Sequence, residues 1–230
     1  MTGTLYGVGV GPGDPELMTL KAHRLIAAAP VIAWPAPAEG PSLARSIAEA
    51  AIPAGAREIP IRIPMGCSRT AAAAVYDAAA EAIAAHLTAG RDVVTLCEGD
   101  PFFYGTFIYL HARLAARFPT VVVPGVASPM AAAAVALHPL VTRAGTFTVL
   151  PATLPDEALR PRLADGSAAA IMKLGRHLPR LRALLAELGR AEGARYIARA
   201  TQAGQQVLPL AEAPNPAPYF SMLLLPGRDA

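Results

Sequence analysis

Along the first half of the chain, short unbroken apolar runs alternate with stretches whose apolar residues recur every three or four positions. The runs predict strands over 4–10, 31–33, 58–61, 92–96 and 120–123, and the periodic stretches predict helices over 17–29, 42–51, 70–89 and 105–117. Continuous apolar strands such as Val93-Val94-Thr95-Leu96 and Val121-Val122-Val123, each followed by a helix, suit a parallel sheet covered on both faces. The segment 35–41, rich in proline, is expected to be a loop. The second half is less regular. Helices are predicted over 128–135, 157–163 and 178–188, and strands over 146–150, 168–172, 195–198, 207–210 and 219–225. The last strands have no helices between them, which implies antiparallel pairs and hence a mixed sheet. The pattern therefore predicts an α/β protein of two α/β domains, 1–124 with a mostly parallel sheet and 125–230 with a mixed one.

Composition narrows the class. A chain of 230 residues, 53% hydrophobic and 16% charged, is folded and holds one large core or two modest ones. Its mean hydropathy of +0.38 raises the question of a membrane. The stretch 118–142 carries no Asp, Glu, Lys or Arg and is long enough to span, but Pro119, Pro124, Gly125, Pro129 and Pro139 would break any helix where lipid cannot replace the lost hydrogen bonds. The opening residues lack the basic-then-apolar pattern of a secretory signal, so a cytoplasmic protein without membrane contact is expected. Cys67 and Cys97 are far apart, with no CxxC spacing and no surrounding His, which points away from a zinc site or a disulfide framework. Twenty basic against 17 acidic residues give +3, but the basic residues are scattered, so no nucleic acid is expected as partner. Only Lys21 and Lys173 are lysines. Arginine suits bidentate carboxylate binding, and codon bias explains the same count.

The first predicted strand runs into Gly7-Val8-Gly9-Val10-Gly11-Pro12-Gly13-Asp14-Pro15. The dinucleotide fingerprint GxGxxG fails from either start, with Pro12 or Asp14 in the third glycine place, and no GxxxxGK is present. Gly13-Asp14-Pro15 returns as Gly99-Asp100-Pro101 after another strand, and Asp followed by Pro is also the ordinary chemistry of a helix start. A third strand end, Pro124-Gly125-Val126-Ala127-Ser128-Pro129, completes a set. Three small-residue loops at the carboxyl ends of strands line the edge where open α/β sheets bind ligands.

These stretches, with Glu98-Gly99-Asp100-Pro101-Phe102-Phe103-Tyr104-Gly105, Lys173-Leu174-Gly175-Arg176-His177, Arg199-Ala200-Thr201 and Tyr219-Phe220-Ser221, resemble the tetrapyrrole (corrin/porphyrin) methyltransferase family almost end to end. The resemblance implies a non-Rossmann S-adenosylmethionine enzyme that uses no metal, binds the cofactor folded between its two domains and forms a homodimer. By position, Pro12, Glu98, Gly99, Asp100, Phe103, Ala127, Ser128, Leu174, Ala200 and Thr201 are implied cofactor contacts. Many members have Gly where this chain has Glu98, and hydroxylic residues are common where Ala127 stands. Glu98, the Phe-Tyr-Gly that follows and the Lys-x-Gly-Arg-His segment are most similar to members that methylate precorrin-2 at C20 in cobalamin synthesis.

An anionic tetrapyrrole substrate implies cationic contacts, for which Arg69, Lys173, Arg176 and His177 are candidates, with Arg62 and Arg143 beside them. Methyl transfer from a sulfonium needs alignment more than a strong catalytic group, but a proton must leave the attacked carbon. Tyr104 and Glu98 are candidate acceptors, and His111, His177 and Asp100 remain open. A relative acting on another ring carbon or on cobalt-precorrin-2 would share every cofactor motif, and the related diphthine synthases share the glycine loops but act on a protein. A non-catalytic binding module, in which the loops are only caps, is the alternative of a different class.

Overall fold

Five strands, β1 (Leu5–Gly9), β2 (Val31–Pro37), β3 (Arg57–Ile63), β4 (Val93–Cys97) and β5 (Thr120–Val123), form a parallel sheet in the order β3-β2-β4-β1-β5. The computed structural model to which they belong describes residues 1–64, 66 and 68–227. The chain divides into two compact units, Met1–Ala127 and Ser128–Ala230.

In the first unit, side-chain alternation along β4 decides which helix meets which face. Val94 and Leu96 join Val8 and Val10 under α1 (Leu20–Ala27) and α2 (Leu43–Ala48), where they meet Ala22, Ile26, Ala44 and Ile47. Val93 and Cys97 join Leu5 under α3 (Arg69–Thr88) and α4 (Phe107–Leu114), where they meet Tyr76, Ile83, Phe107 and Leu110. The neighbours β1 and β4 therefore send their following helices to opposite faces. That is the topological switch point of an open α/β sheet, where a crevice opens beyond the strand ends.

Two expectations are corrected here. The segment 35–41 is not all loop, because β2 continues through Pro35 and Pro37, paired with Ile61 and Ile63 of β3. The pairing of β2 with β4 stops at Ala33, so the prolines sit where a missing N–H breaks no ladder bond to β4. The helix expected from 17 starts at Leu20 instead. Pro15–Leu17 is a separate 3₁₀ turn capped by Asp14, and Thr19 caps α1 by accepting from the Ala22 amide at 3.1 Å.

The second unit contains α5 (Ser128–Val135), β6 (Phe147–Pro151), α6 (Asp156–Ala164), β7 (Ala168–Met172), α7 (Leu178–Glu187), β8 (Arg195–Ala198), β9 (Gln206–Pro209) and β10 (Ser221–Leu225). Its sheet runs β6-β7-β10-β8-β9 and is mixed, as expected: β6 and β7 are parallel, and the other pairs antiparallel. Leu159 and Leu163 of α6 and Leu181, Leu184 and Leu185 of α7 cover one face, against Ile171, Tyr196 and Leu223. Ala132 of α5 covers the other, against Ala170, Ile197 and Leu224. A buried guanidinium fastens the rim, since Arg190 donates to the carbonyls of Leu163 (2.8 Å), Ser167 (2.9 Å) and Pro226 (2.7 Å). Among the described residues, no helix is long and apolar enough to cross a membrane.

Candidate active site

The three glycine-bearing turns meet at the carboxyl edge of β4, β1 and β5. Gly11 and Gly99 form an isolated bridge, the Gly99 amide donating to the Gly11 carbonyl at 2.8 Å and the Gly11 amide to the Gly99 carbonyl at 3.3 Å. A Cβ on Gly9 would lie 2.6 Å from both the Gly125 nitrogen and the Gly99 carbonyl oxygen, and one on Gly125 would strike that same oxygen. Backbone thus packs on backbone across all three turns. Two residues earlier on β1, a Cβ on Gly7 would strike the Phe107 ring. Gly7 and Gly9 are therefore required by sheet packing, which explains a glycine run that is no phosphate fingerprint.

Asp100 closes the set. One carboxylate oxygen accepts from the Phe102 amide at 2.9 Å and the other from the Gly125 amide at 3.1 Å, so it clasps the β4 turn to the β5 turn. The helix-start reading fits Asp14, which accepts from the Glu16 amide at 2.9 Å, but not Asp100, because no helix begins until Phe107.

Glu98 continues the alternation of Val94 and Leu96 toward α2. Burial pushes its carboxyl above the ordinary carboxylate range, opposed by the Ala44 amide of the first α2 turn, which donates to it. Cys97, on the opposite face, is fully buried, and burial pushes its thiol up, so it is a core residue rather than a nucleophile. Pro12 and Gly99 are buried, Phe103 is half-buried, and Tyr104 is 47% exposed with a positive φ of 55°. Phe103 and Tyr104 stack edge to face at 5.1 Å. The first unit thus brings together Pro12, Glu98, Gly99, Asp100, Phe103 and Tyr104 at one edge, and Ala127 ends the β5 turn. His111 lies on α4 with its ring 5.2 Å from Phe102.

In the second unit, Ser128 begins α5, and Lys173, Leu174, Ala200 and Thr201 follow β7 and β8. The Leu174 side chain is buried in the core, so only its backbone is left for a ligand. Arg176 is exposed, and His177 ends the short 3₁₀ turn Gly175–His177 ahead of α7. Arg62 is committed elsewhere, donating to the carbonyls of Pro37, Ala38 and Gly40 at 3.3–3.4 Å. Arg69 opens α3, but its side chain, like Cys67, lies outside the described residues.

Turns that present backbone amides and carbonyls with little side-chain bulk, at a switch point, suit a small ligand held by main-chain contacts. A family model described as tetrapyrrole (corrin/porphyrin) methylases matches residues 4–214. The chain belongs to that family. It is 44% identical to a precorrin-2 C(20)-methyltransferase of Sinorhizobium sp., over 98% of this chain and 96% of that protein. It is 31% identical to a cobalt-precorrin-2 C(20)-methyltransferase of Salmonella typhimurium, over 98% and 97%. Among solved structures, the uroporphyrin-III C-methyl transferase of Thermus thermophilus, complexed with S-adenyl homocysteine, superposes with a TM-score of 0.70 at 27% identity, covering 97% of this chain and 92% of that one. As a tetrapyrrole methylase, the chain is an S-adenosylmethionine-dependent methyltransferase.

Proposed function

We propose that this enzyme methylates C20 of precorrin-2, a step of cobalamin biosynthesis. The likeness to the Sinorhizobium protein across nearly the whole of both chains carries the reading. When bound, S-adenosylmethionine supplies a methyl group already activated by its sulfonium. The chain's own residues then have to position the reactants, and well-oriented reactants correspond to about 7–11 kcal/mol of barrier. Pro12, Gly99 and Phe103 hold the donor at the strand edge, with Ala127 as a further contact from the same unit. The Asp100 clasp and the Gly11–Gly99 bridge fix that edge before anything binds.

Loss of the proton from the methylated carbon falls to Glu98 or Tyr104. Burial makes the Glu98 carboxylate a stronger proton acceptor than an ordinary one, and the Tyr104 hydroxyl offers a second polar group on the same turn. Lys173, Arg176 and His177 are the described candidates for the substrate's carboxylates.

The reading is tested by incubating the enzyme with precorrin-2 and S-adenosylmethionine labelled with ¹³C in its methyl group. NMR of the product should place the label on C20, and a label on any other carbon overturns the assignment. The Salmonella relative favours a second reading, in which cobalt-precorrin-2 is the substrate. Faster turnover of the metallated compound in parallel reactions would establish it.

A further inference from the structure

The parallel sheet forks beside the candidate site. β2 and β4 pair from Val31–Val93 to Ala33–Thr95, while β2 goes on beside β3 as far as Pro37–Ile63. Leu96 and Cys97, the last residues of β4, therefore run on without β2 alongside, and Glu98 follows them into the turn. On the other flank β1 stays in register to Cys97, and the Val10 amide donates to the Cys97 carbonyl at 2.9 Å. The sheet is closed on one side of Glu98 and open on the other.

The start of α2 fills the fork. Its cap, Ser42, is buried and donates through Oγ to the carbonyl of Pro35, on the part of β2 beyond the split. The same Oγ accepts from the Arg45 amide at 3.2 Å, and the Ser42 carbonyl accepts from the Ser46 amide at 3.0 Å. The cap thus leaves the Ala44 amide to another acceptor, and that acceptor is the Glu98 carboxylate. The next residue, Arg45, ties this turn to β3. Its guanidinium meets both oxygens of Glu58 at 2.7 and 2.9 Å, and the Trp34 indole N–H of β2 donates to the same carboxylate at 2.7 Å. A planar fork on a carboxylate admits little play. A helix of six residues has little stability of its own, so its place is set by what it is tied to. The far half of β2, β3 and α2 form one braced wall of the fork, and the Ala44 amide carries the position of that wall to Glu98.

We infer that Arg45 is a positioning residue of the methyl transfer, whose grip on Glu58 sets where the Ala44 amide stands and so how the Glu98 carboxylate is aimed. Glu98 takes the proton from the methylated carbon as the electron pair of that C–H bond returns to the macrocycle. The inference rests on the proposed function, in the form that gives the proton to Glu98, and adds to it Arg45 and Glu58, which act through α2.

The test is a double-mutant cycle on the whole enzyme, with R45M and E98Q made singly and together and precorrin-2 as substrate. R45M should lower kcat about fivefold or more, because a small misplacement of a reacting group is costly, and should leave KM for S-adenosylmethionine within about twofold. R45K should recover part of the loss, since an ammonium binds Glu58 without spanning it. With E98Q in place, R45M should cost less than about twofold more. E58Q loosens the same grip from β3 and should lower kcat in the same direction by a smaller factor. Deuterium at the methylated carbon should slow R45M more than the wild type, since proton removal has become the slower step. An equal loss from R45M with and without the Glu98 carboxylate, or an unchanged kcat in whichever of R45M and E58Q folds, overturns the inference and leaves the proposed substrate standing. An unchanged kcat in E98Q alone overturns it together with the Glu98 assignment. A non-additive cycle with the new methyl on a carbon other than C20 sinks the proposed substrate and upholds the role of Arg45.

Discussion

Replacing Asp100 separates a ligand contact from a clasp. Its two carboxylate oxygens take the Phe102 amide at 2.9 Å in an exposed turn and the Gly125 amide at 3.1 Å in a partly buried one. A charge-assisted bond to a partly buried amide is worth about 1.5–3 kcal/mol, and an exposed one about 0.5–1. Asp100→Ala removes both and should cost the first unit about 2–4 kcal/mol. Asp100→Asn keeps one acceptor oxygen for Gly125 and turns its amide group toward the solvated Phe102 side, for a loss of about 1 kcal/mol. Trp34, the single tryptophan of the chain, lies in the first unit, so its fluorescence in urea reports on that unit. With the β5 turn released, S-adenosylhomocysteine affinity measured by calorimetry should fall about tenfold or more in Asp100→Ala and much less in Asp100→Asn. If Asp100→Ala unfolds within 0.5 kcal/mol of the wild type yet loses its affinity, the residue touches the ligand and the clasp argument fails.

Further expectations follow from other buried groups. Glu98 has its carboxyl pKa raised by burial, so its contribution to stability is present below the unfolded pKa and is lost as pH rises through the folded one. Glu98→Gln, which still accepts from Ala44, should gain on the wild type from pH 5 to pH 8 in thermal melts, whereas Glu98→Ala should lose about 1–2 kcal/mol; a gap between Gln and wild type that stays flat with pH would refute this. Glu58 behaves oppositely. The Arg45 guanidinium bound to both its oxygens at 2.7 and 2.9 Å, helped by Trp34 Nε1 at 2.7 Å and opposed by burial, lowers its pKa. That stability is present above the unfolded pKa and lost as pH falls through the folded one, so the cost of Glu58→Gln, about 1–2 kcal/mol at pH 7 by urea titration, should shrink below pH 4. Arg190→Met leaves three carbonyls without their donor and should cost about 3–5 kcal/mol, read by circular dichroism, with Arg190→Lys recovering only part because a point charge cannot span all three.

Much of the first sheet was legible, because unbroken runs such as Val93 to Leu96 have one reading when helices separate them. The gathering of three turns was legible for the same reason, since parallel strands end on one side. What those turns do to each other was not. The partner of Asp100 is Gly125, 25 residues away, and local sequence presents Asp-Pro only as a cap. The prolines of β2 hid half of a strand, because their tolerance depends on where a neighbouring strand stops. Arg190 looked like any other arginine in a chain with only two lysines, and nothing local marked it as buried.

The seam of Gly9, Gly99 and Gly125 sets the thermodynamic character of whatever docks beside it. Main chain leaning on main chain has no rotors to freeze, so association there forfeits little conformational freedom, and even modest polar contacts should register as affinity. By the same token the seam cannot yield by small adjustments. Any motion that admits or releases a guest has to be made by parts of the molecule whose side chains can still turn.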